Sequence, residues 1–177
     1  MRRRHLLKRL SRRGFWHATE GATAVEFGLV IFPFMFMLFA IIEVAMYFTV
    51  GSVADNAMIE TGRLIRTGQA EAQRMTQDQF RDNFCSRMSI FAPDCAARTT
   101  VDVRVIDLSD PPEDPLASGR NPRDEDQYSY GAAGDLILVR IWYEQPMFTG
   151  FLTPGLSRLP NGPFLLSSAT AFRNEPK

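Results

Sequence analysis

The sequence predicts an α+β fold: a long N-terminal helix, apolar enough to cross a membrane, continuing into a small external domain with a short helix and a roughly three-stranded antiparallel sheet. Three observations predict it. A nearly uncharged run, Phe27 to Val50, follows a strongly basic head. Beyond that run, apolar residues keep helical spacing to about Phe91. From Thr99 the spacing changes to two, the period of strands.

The head comes first. The net charge of zero conceals a division: residues 1–21 hold seven Lys/Arg and one acid, while residues 22–177 hold 13 basic and 19 acidic groups. A basic block directly before an apolar span is a topogenic signal that stays in the cytoplasm. The remaining chain is acidic and has no second basic patch to hold phosphates, so no nucleic-acid partner is expected.

The span is long enough. Ala22 to Val50 supplies 29 residues with two glutamates, Glu26 and Glu43, where a bilayer crossing needs about 20 mostly apolar residues. Pro33 lies inside it; membrane helices tolerate proline where neighbours satisfy the freed carbonyl. A buried helix of a soluble protein is rarely apolar on every face. A cleaved secretory signal is the closer rival, because Ser52-Val53-Ala54 has the small-x-small form. Its apolar region would be about twice the usual 7–15 residues and would contain Glu43.

With the amino end inside, residues from about Gly51 lie beyond the inner membrane, where disulfides persist. The chain has two cysteines, Cys85 and Cys95. A disulfide between them is expected, with two unpaired thiols as the alternative. Two thiols offer half a tetrahedral zinc shell and no histidine lies nearby, so no metal or other cofactor is expected.

The first helix is expected to run on through Ser52–Thr67, where Val53, Ala57 and Leu64 lie beside Ala54, Met58 and Ile65, and to end near Gly68, a suitable C-cap. A second is expected from Thr76, an N-cap residue, to about Phe91, with Phe80, Phe84, Met88 and Phe91 on one stripe. Thr99–Leu108 then places Val101, Val103 and Val105 on one face. Asp135–Gln145 is apolar on nearly both faces, as a central strand is, and Phe164–Phe172 is the third strand. Ser109–Gly134 and Phe148–Gly162 read as loops. An amphipathic helix can then cover one face of the sheet.

Both histidines, His5 and His17, lie in the head, and no nucleophile elbow, phosphate loop or dinucleotide fingerprint occurs. No catalytic residues are therefore expected. The acids Asp110, Glu113, Asp114, Asp124, Glu125 and Asp126 cluster in the first loop; solvated acids are the ordinary reading of such a run, which lacks the spacing of a calcium loop.

Glu26 and Glu43 stand about 25 Å apart along a helix, near opposite faces of the hydrocarbon. An ionisable residue within a span is expensive and marks function by default; the alternative, above all for Glu43, is an ordinary position at the interface, where the cost is smaller. Glu26 begins the span five residues after Gly21, the glycine that ends the charged leader.

Gly21-Ala-Thr-Ala-Val-Glu26-Phe27 behind a basic leader resembles the processing region of type IVb (Flp-type) prepilins and, more closely, TadE/TadG-like pilus-assembly proteins. Ile41-Ile-Glu43-Val, Asn56–Arg63, the Cys85/Cys95 pair and Phe172–Pro176 also look TadE-like. The resemblance implies that a prepilin peptidase cuts between Gly21 and Ala22, with Glu26 and Phe27 in the places that align a subunit. A carboxylate in apolar surroundings seeks a cation, which the new Ala22 amine of a neighbour would supply. The major Flp pilin is much shorter, so the resemblance implies a minor, pseudopilin-like component.

The expected organisation is a basic cytoplasmic leader at 1–21, a transmembrane helix at 22–50 and a periplasmic TadE-like domain at 51–177. The expected function is non-enzymatic assembly of Flp/Tad pili from the inner membrane, with prepilin peptidase, pilin subunits and other Tad pilus proteins as partners. The alternatives are an uncleaved signal-anchor protein with an unrelated periplasmic binding domain, and a secreted enzyme released after Ala54.

Overall fold

A computed structural model describes residues 21–88, 92, 94–109, 112–124, 127–147 and 164–176. The head up to Glu20, Phe91, the acids Asp110, Glu125 and Asp126, and the Phe148–Gly162 loop lie outside these residues. The chain divides into two compact units, one ending at Ile41 and one beginning at Ile42.

The first helix, α1 (Ala22–Arg66), is 45 residues long and continues through Pro33. In the first unit it is the only described element, and its large apolar side chains are bare: Phe27, Leu29 and Phe32 are more than two-thirds exposed. Its most apolar stretch has a mean hydropathy of 2.5, so by length and composition it could cross a membrane.

In the second unit α1 closes with Thr67 and Gly68 donating back to Arg63 and Ile65; Gly68 takes the left-handed conformation (φ 72°) that glycine adopts without strain. A four-residue turn of helix, α2 (Gln69–Ala72), leads to α3 (Gln77–Met88). Thr76 caps α3 reciprocally: its Oγ1 accepts from Gln79 N at 3.3 Å, and its own N–H reaches Gln79 Oε1 at 2.9 Å. Phe80, Phe84 and Met88 are fully buried, as their stripe implies. A second short turn, α4 (Cys95–Arg98), which has no periodicity to betray it, precedes the sheet.

The sheet is antiparallel in the order β1 (Thr99–Val105), β2 (Leu136–Gln145), β3 (Phe164–Arg173). Register puts Val101, Ile141 and Ser168 in one row and Val103, Val139 and Thr170 in the next. This face, with Ile137, Tyr143 and Leu166, forms the core with α1 and α3. Val105, on the same face at the strand's end, is 46 % exposed.

Helix α1 runs beside β3 in the same direction. Tyr47 meets the Phe164 ring edge-on at 4.9 Å, Asp55 accepts a hydrogen bond from Ser168, and Arg66 O accepts from Glu175 N. Gly62 permits the approach, since a Cβ there would stand 3.3 Å from the Phe172 ring.

The other sheet face departs from expectation. The stretch read as a plain loop includes a 3-10 turn (Pro122–Asp124), and Leu116 and Pro122 are buried. Arg140 and Trp142, on that face of β2, are buried as well, with the Arg140 guanidinium 5.2 Å from the centre of the Trp142 ring. The segment packs because that face carries polar groups that need partners.

Candidate functional site

Gly21 and Ala22 stand at the start of α1, and Glu26 and Phe27 follow one turn on; all four are exposed. A Cβ at Gly21 would meet nothing within 4 Å. Glu43 differs: it lies in the second unit and is only 6 % exposed. An exposed carboxylate among bare apolar side chains is available to a cation outside the chain, whereas a buried one is part of the packing.

Cys85 on α3 and Cys95 on α4 are joined in a disulfide with Cα atoms 5.6 Å apart. Thr99 Oγ1 lies 3.3 Å from Cys95 Sγ and donates to Cys95 O at 2.8 Å, which ties the bridge to the first residue of β1. Of the acidic loop, Glu113 pairs with Arg120 at 3.3 Å and Asp114 Oδ1 accepts from Leu116 N at 3.0 Å, so both are spent on local order.

Among the described residues, β1 and β2 hold a buried charged cluster that the sequence pattern alone did not single out. Asp102 is fully buried. Its Oδ1 accepts from Arg104 Nε at 2.9 Å, Arg104 Nη2 at 2.6 Å and Gln127 N at 3.2 Å. Its Oδ2 accepts from Arg140 Nε at 2.9 Å, while Arg140 Nη2 stands 2.7 Å away as an ion-pair contact rather than an aligned hydrogen bond. Arg140 Nη1 donates to Glu113 O at 2.8 Å. One carboxylate thus joins two strands to the covering loop. Its signals were present: Asp102 and Arg104 alternate with the valines of β1, and Arg140 is the lone charge within Leu136–Tyr143.

Two phenols, Tyr143 buried and Tyr128 half-buried, complete the electrostatics. Burial, with a smaller contribution from Tyr130, pushes the Tyr128 hydroxyl up to about 12. Burial also raises Tyr143, opposed by Arg98 and reinforced by Asp94. Serine hydrogen bonds from Ser109 lower the exposed Asp107.

The family model described as TadE-like protein matches residues 21–63. The match begins at Gly21, takes in Glu26, Phe27 and Glu43, and ends within α1. No curated protein and no solved structure matches the chain.

Proposed function

We propose that this chain is a non-enzymatic, minor pilin-like (pseudopilin) component for assembly of Flp/Tad pili. Residues 22–50 anchor it in the inner membrane, with residues 1–21 a cytoplasmic leader and residues 51–177 a periplasmic domain. A prepilin peptidase removes the leader between Gly21 and Ala22, and Glu26 with Phe27 then aligns the subunit among pilins and other Tad proteins.

The observation that carries this reading is the TadE-like match from Gly21 to Arg63, which takes in the cleavage and alignment positions together. The bare apolar surface of α1 supports it physically. Twenty residues of helix with exposed Phe, Leu and Met side chains require lipid or neighbouring helices around them.

The test is the amino terminus of the protein purified from membranes. The expected residue is Ala22, and Gly21→Leu is expected to leave the leader attached. Because a side chain at Gly21 meets no neighbour, that loss would report recognition by the peptidase and not misfolding. An intact Met1 terminus together with unaltered piliation overturns the proposal.

A further inference from the structure

The two edges of the sheet are treated differently. Ile106 N donates to Leu136 O and Asn174 N to Asp135 O, each at 2.9 Å. These bonds set the phase of both ladders, because hydrogen-bonding direction alternates along a strand. Odd-numbered residues of β1 and β3 therefore turn their N–H and C=O groups away from β2. On β1 that edge is covered: Val101 O accepts from Gln77 Nε2 at 2.8 Å, and Val103 exchanges bonds with Gln127 and Ser129 at 2.7 and 2.8 Å. On β3 the outward groups belong to Leu165, Ser167, Ala169, Ala171 and Arg173. Among the described residues no backbone group pairs with them until Glu175, whose N–H goes to Arg66 O. Proteins usually blunt such an edge with charges or proline, and Ser167, Ala169 and Ala171 have neither.

A cavity of about 190 Å³ opens at the seam between this strand and α1. Phe48, Ser52 and Asp55 form one lip and Leu166, Ser167 and Ser168 the other. Tyr143 lines it, 1 % exposed, with a hydroxyl that has no hydrogen-bond partner. The flank of α1 beyond its β3 contacts carries Phe48 and Ile59, 66 % and 58 % exposed. Asp55 is the one charged residue among those that line the cavity.

We propose that the seam between α1 and the outer edge of β3 is a strand-docking groove for an extended segment of a different protein chain. That segment carries a bulky apolar side chain and a Lys or Arg two residues apart. Edge hydrogen bonds supply affinity and a side-chain pocket supplies specificity in strand addition. Residues two apart share a face, so the apolar side chain enters the cavity while the cation reaches Asp55. A second copy does not fit. Symmetric pairing of two identical edges is antiparallel, and α1 runs along β3 in its own direction. In such a pair the second copy's Phe164, Leu166 and Ser168 already lie buried on its own α1 side, so it has no bulky side chain on that face to place in the cavity.

The test uses the full-length protein in detergent micelles and a fluorescein-labelled eight-residue threonine peptide with Phe and Lys two residues apart. Saturable binding by anisotropy is expected. Ala169→Pro removes one outward N–H and leaves the β2 ladder intact; Gly51→Leu fills the cavity from the helix. Each is expected to weaken binding at least tenfold, while Ala169→Thr preserves it. Asp55→Asn is expected to weaken the Lys peptide and leave its Gln counterpart unchanged. Absence of saturable binding, equal binding by both blocking variants, or a dimer that Ala169→Pro dissolves would each overturn the proposal. Groove binding by a protein that retains Met1 would keep the groove and overturn only the pilin reading.

Discussion

Replacing Asp102 with alanine tests the claim that one buried carboxylate holds the sheet to its covering loop. The substitution removes the acceptor for both Arg104 and Arg140, whose side chains are 17 % and 8 % exposed, and for Gln127 N. Both guanidinium groups then lose this carboxylate while staying largely out of solvent. Removing one partner of a buried ionic cluster costs about 3–5 kcal/mol, because the remaining charge stays desolvated. Against a typical total of about 5–15 kcal/mol this is a large share. For a folded unit of this size it corresponds to a fall in unfolding temperature of about 10–20 °C. Thermal and urea unfolding of the full chain in detergent, followed by near-ultraviolet circular dichroism, would measure it. The triple substitution Asp102→Leu, Arg104→Leu, Arg140→Met removes all the charges and is expected to regain most of the loss. A loss below about 1 kcal/mol for Asp102→Ala, in the range of a surface ion pair, would refute the reasoning.

Three further outcomes are expected. Cys85→Ser with Cys95→Ser should lower stability by about 2–3 kcal/mol, the effect of opening a short loop, read as a shift in urea midpoint. Gly131→Ala should cost about 1–3 kcal/mol, since φ is 61° and the new Cβ would stand 2.7 Å from Ile137 Cδ1; an unchanged melting curve would contradict that geometry. Tyr128 keeps its proton up to about 12 in the folded state, against 10.0 for the ordinary phenol. Above pH 10 the unfolded chain therefore loses a proton that the folded chain retains, and stability falls from there to about pH 12. Tyr128→Phe should flatten part of that fall and change little at pH 7; an identical alkaline profile would count against it.

Much of the fold was legible because it rests on local pattern. The apolar run specified the long helix, Thr76 the start of α3, and the change of period at Thr99 the strands. The helical turns Gln69–Ala72 and Cys95–Arg98 were missed, being too short to show any period. The described part of Ser109–Gly134 is loop with one 3-10 turn, as its composition implies; composition reports turn residues, not that Leu116 and Pro122 become buried. Of the candidate positions, Gly21, Glu26 and Phe27 were legible as a motif with a fixed order along the chain.

The sequence by itself determined the chemistry available: an apolar helix behind a basic head, a glycine and a glutamate at its start, no histidine beyond the head, and two cysteines. These depend on residue type and on neighbours along the chain. Only the tertiary structure decided which side chains meet. Asp102 and Arg140 are 38 residues apart in sequence, Asp55 and Ser168 113 apart. No period records such pairs, because they arise from strand register and from the line that α1 takes beside β3. The same register decided that described backbone groups cover the outer edge of β1, while among the described residues none pairs with that of β3 before Glu175.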